Sequence, residues 1–147
     1  MLHISHSPEE TIAFGEGFAR SHIHTGSVVT IRGELGAGKT HFIKGIARAL
    51  GIDQRELTSP TFSLAHEFEC EWEGRALTLF HLDCYRFEKP EELLELGVED
   101  YLYPKHGATI IEWPERIESL VPLTAINITI TQISETEREI KNDDPRH

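Results

Sequence analysis

Basic residues are scarce in this chain: 14 lysines and arginines face 25 aspartates and glutamates, a formal net charge of −11. Gripping a polyanion over a broad surface requires Lys and Arg to neutralise phosphates, so a whole-surface nucleic-acid binder is excluded and any basic contact is local. The acidic surface suits solubility or recognition of a basic partner protein, and composition does not choose between them. Cysteine is nearly absent. Cys70 and Cys84 stand in no CxxC or Cys/His metal spacing, and the expectation is two small buried hydrophobes and no disulfide. Long apolar runs are missing too: none approaches the roughly 18 residues of a membrane span, and MLHISHSPEE has no basic stretch followed by an apolar core. The expectation is a cytoplasmic protein that does not enter a membrane.

What is present fits one domain with one core: 147 residues, 39% apolar and 27% charged, with no internal repeat or low-complexity linker. SPEETIAFGEGFAR opens with Ser7, Pro8 and Glu10, a capping box with proline at the first helical position. Ile12, Phe14, Phe18 and Ala19 supply its apolar face, which Gly15 and Gly17 weaken. SVVTIR follows as a strand apolar enough to be buried on both faces. KTHFIKGIARALGI then carries Phe42, Ile43, Ile46, Ala47 and Leu50 at helical spacing, with Gly51 as C-cap. Farther on, TSPTF reads as a turn, and SLAHEFECEW and RALTLFHLDCY as strands joined in a hairpin at Glu73 and Gly74. KPEELLELGVEDYL predicts a helix, GATIIEW a short buried strand, and TAINITITQIS a final strand near an edge. Residues 136–147 read as a polar, mobile tail beyond a single domain spanning 1–135. The order predicts an α/β three-layer sandwich on a mixed, mostly parallel sheet with an inserted antiparallel hairpin.

Between the first strand and its helix stands GELGAGKT, in which Gly33, Gly38, Lys39 and Thr40 fit the phosphate-binding pattern G-x-x-x-x-G-K-[ST] in full. Glycines let the backbone turn with positive φ and approach an anion closely. The amides of Glu34, Leu35, Gly36, Ala37 and Gly38 would form the nest, with the helix dipole behind them. Lys39 would reach the β- and γ-phosphates, and the Thr40 hydroxyl would ligate Mg²⁺. ATP is the expected nucleotide, since no N-K-x-D guanine-reading element occurs. Hydrolysis needs acids as well, and two apolar runs end in one: LTLFHLD at Asp83 and TIIE at Glu112. In a parallel α/β sheet ligands lie at the carboxyl ends of strands, so either acid could face the metal. Thr61, in SPTF, stands where switch loops present a hydroxyl, although a turn residue capping its own backbone would look the same. His81 reads as a packing residue sooner than a base, Trp113 as a packing or partner-facing aromatic, and Arg86 as a salt-bridge partner sooner than a catalytic cation.

In this order GELGAGKT, TSPTF, FHLDCYR and IIEWPE resemble the bacterial TsaE family of ATPases, of tRNA threonylcarbamoyladenosine biosynthesis, over about Gly26 to Glu115. The resemblance implies a P-loop fold and an ATPase activity that is weak alone and needed in a complex with the partner proteins TsaB and TsaD. Those partners form N6-threonylcarbamoyladenosine at position 37 of tRNAs reading ANN codons, and hydrolysis of ATP allows their turnover. It further implies that Lys39 and Thr40 hold phosphates and Mg²⁺, that Glu112 completes the metal site, and that Asp83 acts near the metal or the attacking water. Thr61 would match a switch-like threonine and Trp113 the aromatic beside the metal acid; tRNA contact would be indirect or local. Two other readings share the loop. One is a small P-loop kinase, which needs an arginine-bearing lid that the sequence does not offer; the other is a nucleotide-gated adaptor without turnover.

Overall fold

The computed structural model describes residues 1–53, 65–95 and 99–145. Its centre is built from the runs that are apolar on both faces, β2 (Val28–Arg32) and β5 (Gly107–Glu112), paired in parallel. Parallel strands need both faces covered, which is why these runs are continuous and rich in Val and Ile. On the far side of β2 lies β6 (Ile126–Gln132), and on the far side of β5 lies β4 (Arg75–Asp83), both parallel to their neighbours. β3 (Ala65–Trp72) returns antiparallel on β4 through Glu73 and Gly74, at φ 53° and 76°, the left-handed pair that a tight hairpin turn requires. At the opposite edge stand β1 (Leu2–Ser5) and β7 (Arg138–Asp143), giving one seven-stranded sheet in the order β1-β7-β6-β2-β5-β4-β3.

Helices cover both faces. α1 (Pro8–His22) and α2 (Lys39–Ala49) bring Phe18, Phe42 and Ile46 onto Val29, Ile31, Leu79 and Ile128. On the other face α3 (Pro90–Glu95), α4 (Glu99–Leu102) and a 3-10 segment, Pro114–Leu120, bring Leu93, Leu102 and Ile117 onto Val28, Leu82 and Ile111. This is the expected three-layer α/β sandwich. α3 and α4 lie within the run expected as one helix, whose residues 96–98 are outside the described ones, as is TSPTF.

Two expectations are corrected. Within the stretch 136–147, expected as a mobile tail, Arg138–Asp143 form β7, bonded to β6 on one side and β1 on the other. Only Ile140 and Asn142 of this strand are buried, so its apolar signal is a single residue, and the backbone ladder holds what side-chain burial does not. Because β7 covers it, TAINITITQIS is an interior strand and not an edge.

The start of α1 follows its sequence: Ser7 accepts from the Glu10 amide at 3.1 Å, and the Glu10 carboxylate reaches back to the His6 amide at 2.7 Å. The glycines that weaken α1 by propensity serve its packing. A β-carbon on Gly15 would lie 2.3 Å from the Phe42 carbonyl oxygen, and one on Gly45 would lie 2.0 Å from that of Ile12, so α1 and α2 touch backbone to backbone. Gly17, by contrast, faces open space. In urea denaturation we expect Gly45→Ala to lower stability by about 1–3 kcal/mol through overpacking. Gly17→Ala should raise it by about 0.5–1 kcal/mol through helix propensity.

Candidate functional site

Strand register decides where the acids go. In the β4–β5 ladder Asp83 stands opposite Glu112, and in the β5–β2 ladder Glu112 stands opposite Ile31. Residues directly opposite share a face, and side chains alternate along a strand. His81, Asp83 and Glu112 therefore continue the row of Leu79, Ile110 and Ile31 that packs under α1 and α2, at the end where these parallel strands finish. The first turn of α2 sits at that same end.

That turn differs from the start of α1. α1 has a side-chain cap and two acids, Glu9 and Glu10, in its first turn, whereas α2 has neither. Gly38 is its N-cap, at φ 106° and ψ 13°, and Gly36 is at φ 80°, conformations an L side chain rarely adopts. The leading amides and the positive end of the helix dipole are thus left to an anion from outside. Lys39 enters the helix immediately after, only 6% exposed, and its Nζ has no hydrogen-bond partner. It lies 3.7 Å from the centre of the Trp113 ring, a cation–π contact that partly replaces lost water. Burial pushes the Lys39 ammonium below its ordinary pKa, opposed by the nearby carboxylates of Glu112, Asp83, Glu115 and Glu34.

Trp113 follows Glu112 with φ 57° and ψ 50°, left-handed backbone that costs a bulky residue about 1–3 kcal/mol. This turn ends β5, starts the 3-10 segment and lays the indole across Lys39; Tyr85 packs on its other side with ring centroids 4.9 Å apart. Glu112 is buried and bonded to His81 Nε2 at 2.6 Å, so His81 orients the acid, a role beyond the packing expected of it. Asp83 accepts the Tyr85 amide at 3.0 Å. Beside them the Cys84 thiol is pushed up to about 12 by burial and then by the surrounding carboxylates, which leaves it without nucleophilic character at neutral pH.

Leu35, Gly36, Gly38, Lys39, Thr40, Asp83, Glu112 and Trp113 line one cavity of about 300 Å³. Glu34 and Ala37 do not: they border a second cavity on the outer side of the loop, and the Ala37 amide is spent on the Glu34 carbonyl at 3.0 Å. Thr61 lies outside the described residues. Arg86 is exposed and does not line the cavity. The sequence reading missed other residues that line this cavity: Ser7 and Thr11 of α1's start, His41 of α2, and Glu135, Thr136 and Arg138. No alternation in the sequence marks the strand that Arg138 begins, since Ile140 is the single apolar residue of REIKND.

Among the described residues no group of three or more His, Cys, Asp or Glu could hold a metal alone. The donor set of Thr40, Asp83 and Glu112 instead suits magnesium, which keeps its waters and takes one or two carboxylates together with substrate phosphates. Among the described residues no helix is long and apolar enough to cross a membrane.

The family profile for "Threonylcarbamoyl adenosine biosynthesis protein TsaE" matches residues 5–140. The tRNA threonylcarbamoyladenosine biosynthesis protein TsaE of Treponema pallidum is 39% identical over 137 residues, covering 93% of this chain and 96% of that protein. Its counterpart in Bacillus subtilis is 39% identical over 134 residues, covering 91% of this chain and 79% of that protein. A crystal structure of YdiB from Bacillus subtilis superposes with a TM-score of 0.73 at 34% identity, covering 95% of this chain and 82% of that one, and its fold is of the P-loop type.

The charge on Lys39 opposes folding. Its folded-state pKa lies below the unfolded value of 10.5, so the folded chain binds fewer protons there, and stability rises as pH climbs through the window between the two. We expect Lys39→Met to melt at a higher temperature than the native chain at neutral pH. Calorimetry should also show that it loses the part of the pH-dependent gain that falls just below 10.5. A melting temperature lowered by this substitution would show that the ammonium stabilises the fold.

Proposed function

The chain belongs to the TsaE family of tRNA threonylcarbamoyladenosine biosynthesis proteins, and from that membership we propose that it binds and hydrolyses ATP to drive this modification. The product is N6-threonylcarbamoyladenosine at position 37 of tRNAs reading ANN codons. The observation that carries this reading is the buried, unpartnered Lys39 ammonium at an uncapped helix start, facing a cavity whose far wall holds Asp83 and Glu112.

The division of labour follows from position. Amides of Gly36, Gly38, Lys39 and Thr40 cradle the phosphate chain, and Lys39 exchanges its contact with Trp113 for the β- and γ-oxygens. Thr40 and Glu112 are the residues that would hold magnesium, which neutralises charge across the β- and γ-phosphates when bound. His81 keeps the Glu112 carboxylate turned toward the cavity. Asp83, neighbour of Glu112 in the ladder, would take the proton of the attacking water or act beside the magnesium. Trp113 walls the γ-phosphate end against bulk water, which strengthens the electrostatics within.

Turnover in this reading is slow for the isolated chain and rises within a complex with TsaB and TsaD. The net charge of −11 makes proteins the first partners and leaves tRNA to local or indirect contact.

Two substitutions test the site. We expect Lys39→Ala to weaken ATP binding by at least about 100-fold, the loss of a desolvated charge-assisted contact. Glu112→Ala should keep ATP binding while magnesium-dependent phosphate release falls by about 100-fold or more. Calorimetric titration and phosphate release, each with and without the partner pair, measure both, with tRNA modification read in the same tube. Unchanged ATP affinity in the lysine variant would sink the site. Phosphate passed to a small acceptor would favour a kinase, and no release even with partners present would favour an adaptor.

A further inference from the structure

Two ring contacts hold the Trp113 indole, and only one of them outlasts a bound nucleotide. The first is the Lys39 ammonium, 3.7 Å from the centre of the ring. A lysine that turns to phosphate oxygens gives this contact up. The second is Tyr85, whose ring centroid stands 4.9 Å from that of the indole at an interplanar angle of 54°, the geometry of a tilted aromatic pair. Support of this kind is needed here, because the Trp113 backbone at φ 57° and ψ 50° occupies a region that a bulky residue keeps only where its surroundings fix it.

Tyr85 is itself anchored on both sides. Its amide donates to Asp83 Oδ1 at 3.0 Å, which ties it to the acid that ends β4. The Cys84 amide donates to the Glu112 carbonyl at 3.0 Å, so the chain leaving β4 is bonded to the chain leaving β5 just where Trp113 begins. Arg116 closes the assembly: its guanidinium carbon lies 5.7 Å from the centre of the Tyr85 ring, and its Nη1 donates to the Phe87 carbonyl at 3.3 Å. Lys39, Trp113, Tyr85 and Arg116 thus form a run of cation, ring, ring and cation that leads from the buried site to the surface. Tyr85 is 45% exposed, so burial does not explain where it stands, and it does not line the cavity. We propose that Tyr85 is a positioning residue: its ring keeps the Trp113 indole in place as a wall once Lys39 has turned to the nucleotide, and so sets the rate of hydrolysis and not the strength of binding. This rests on the ATP reading above and adds to it a residue that acts only through Trp113.

The ring can be removed without disturbing Asp83, because the bond to that acid comes from the Tyr85 backbone. On the whole chain, Tyr85→Ala should release phosphate from magnesium-ATP about 3- to 10-fold more slowly, the reach of one aromatic pair, with ATP affinity held within about 2-fold. Tyr85→Phe, which keeps the ring, should restore the native rate. A native rate in Tyr85→Ala, or a loss of affinity as large as the loss of rate, would overturn the proposal. The second readout needs no nucleotide. Trp72→Phe leaves Trp113 as the sole tryptophan, and the decay of its fluorescence anisotropy reports how freely the indole moves within nanoseconds. In that background with Lys39→Ala, which removes the first contact, adding Tyr85→Ala should lower the residual anisotropy by about half, whereas adding Tyr85→Phe should leave it unchanged. Equal anisotropy with and without the Tyr85 ring would overturn the proposal. A native chain that neither binds nor hydrolyses ATP fails the ATP reading instead, and the anisotropy comparison then still decides whether Tyr85 holds Trp113.

Discussion

An ammonium group held out of water with no hydrogen bond is the constraint around which this site is arranged. Lys39 could satisfy its charge by turning to solvent, and the fold prevents it by burying the side chain to 6% exposure beneath Trp113. A cation–π contact offsets only part of that desolvation, since the ring offers a quadrupole where water offers hydrogen bonds. The neighbouring carboxylates pull the other way, and burial still wins, as the direction of the Lys39 pKa shift shows. The strained backbone of Trp113 belongs to the same balance: it aims the indole, and it persists because β5 and the 3-10 segment fix it from both sides. On the proposed function, a triphosphate would relieve the whole arrangement at once by giving the amides, the dipole and the ammonium one anion to share.

This arrangement is portable only if α2 is held in place, and the holding is done far from the chemistry. The backbone contact between Gly15 and Phe42 and between Gly45 and Ile12 sets α2 against α1 at closer range than any side chain would allow. From below, the parallel ladders of β2, β5 and β4 align Ile31, Glu112 and Asp83 in a row, so that one register places both acids and a slip of one residue would turn both onto the opposite face. Packing thus sets the distance of the acids from the helix start, and the pairing sets their face.

The parts legible in the sequence are those whose chemistry demands a fixed spacing. GELGAGKT is one: its pattern calls for positive φ in the loop and a lysine at the helix start, and Gly36, Gly38 and Lys39 stand so. The acids are another, because Asp83 and Glu112 end apolar runs, and a buried parallel strand must end where its ligands begin. Glu73 and Gly74 marked their hairpin for the same kind of reason. What escaped is held by backbone pairing. β1 and β7 are outer strands with few buried side chains, and REIKND is as charged as a loop, so it is the pairing with β6 and β1 that makes a strand of it. Arg138 was lost with β7. The glycines of α1 misled in the opposite direction: propensity counts Gly15 against a helix, while tertiary contact requires it. His81 was seen without its partner, since a bond across two strands is a property of register.

The balance of charge links these findings. An acidic chain has gathered two of its few cations at one cavity from opposite ends of the sequence, Lys39 from the first βα unit and Arg138 from the last strand. Neither position attracts an anion by long-range field, since the summed charge of the protein is −11 and would repel one. An anion would have to be held there by short-range, desolvated contacts. Through Arg138, which touches the Gly36 carbonyl, the outer part of the sheet and the loop share one cavity.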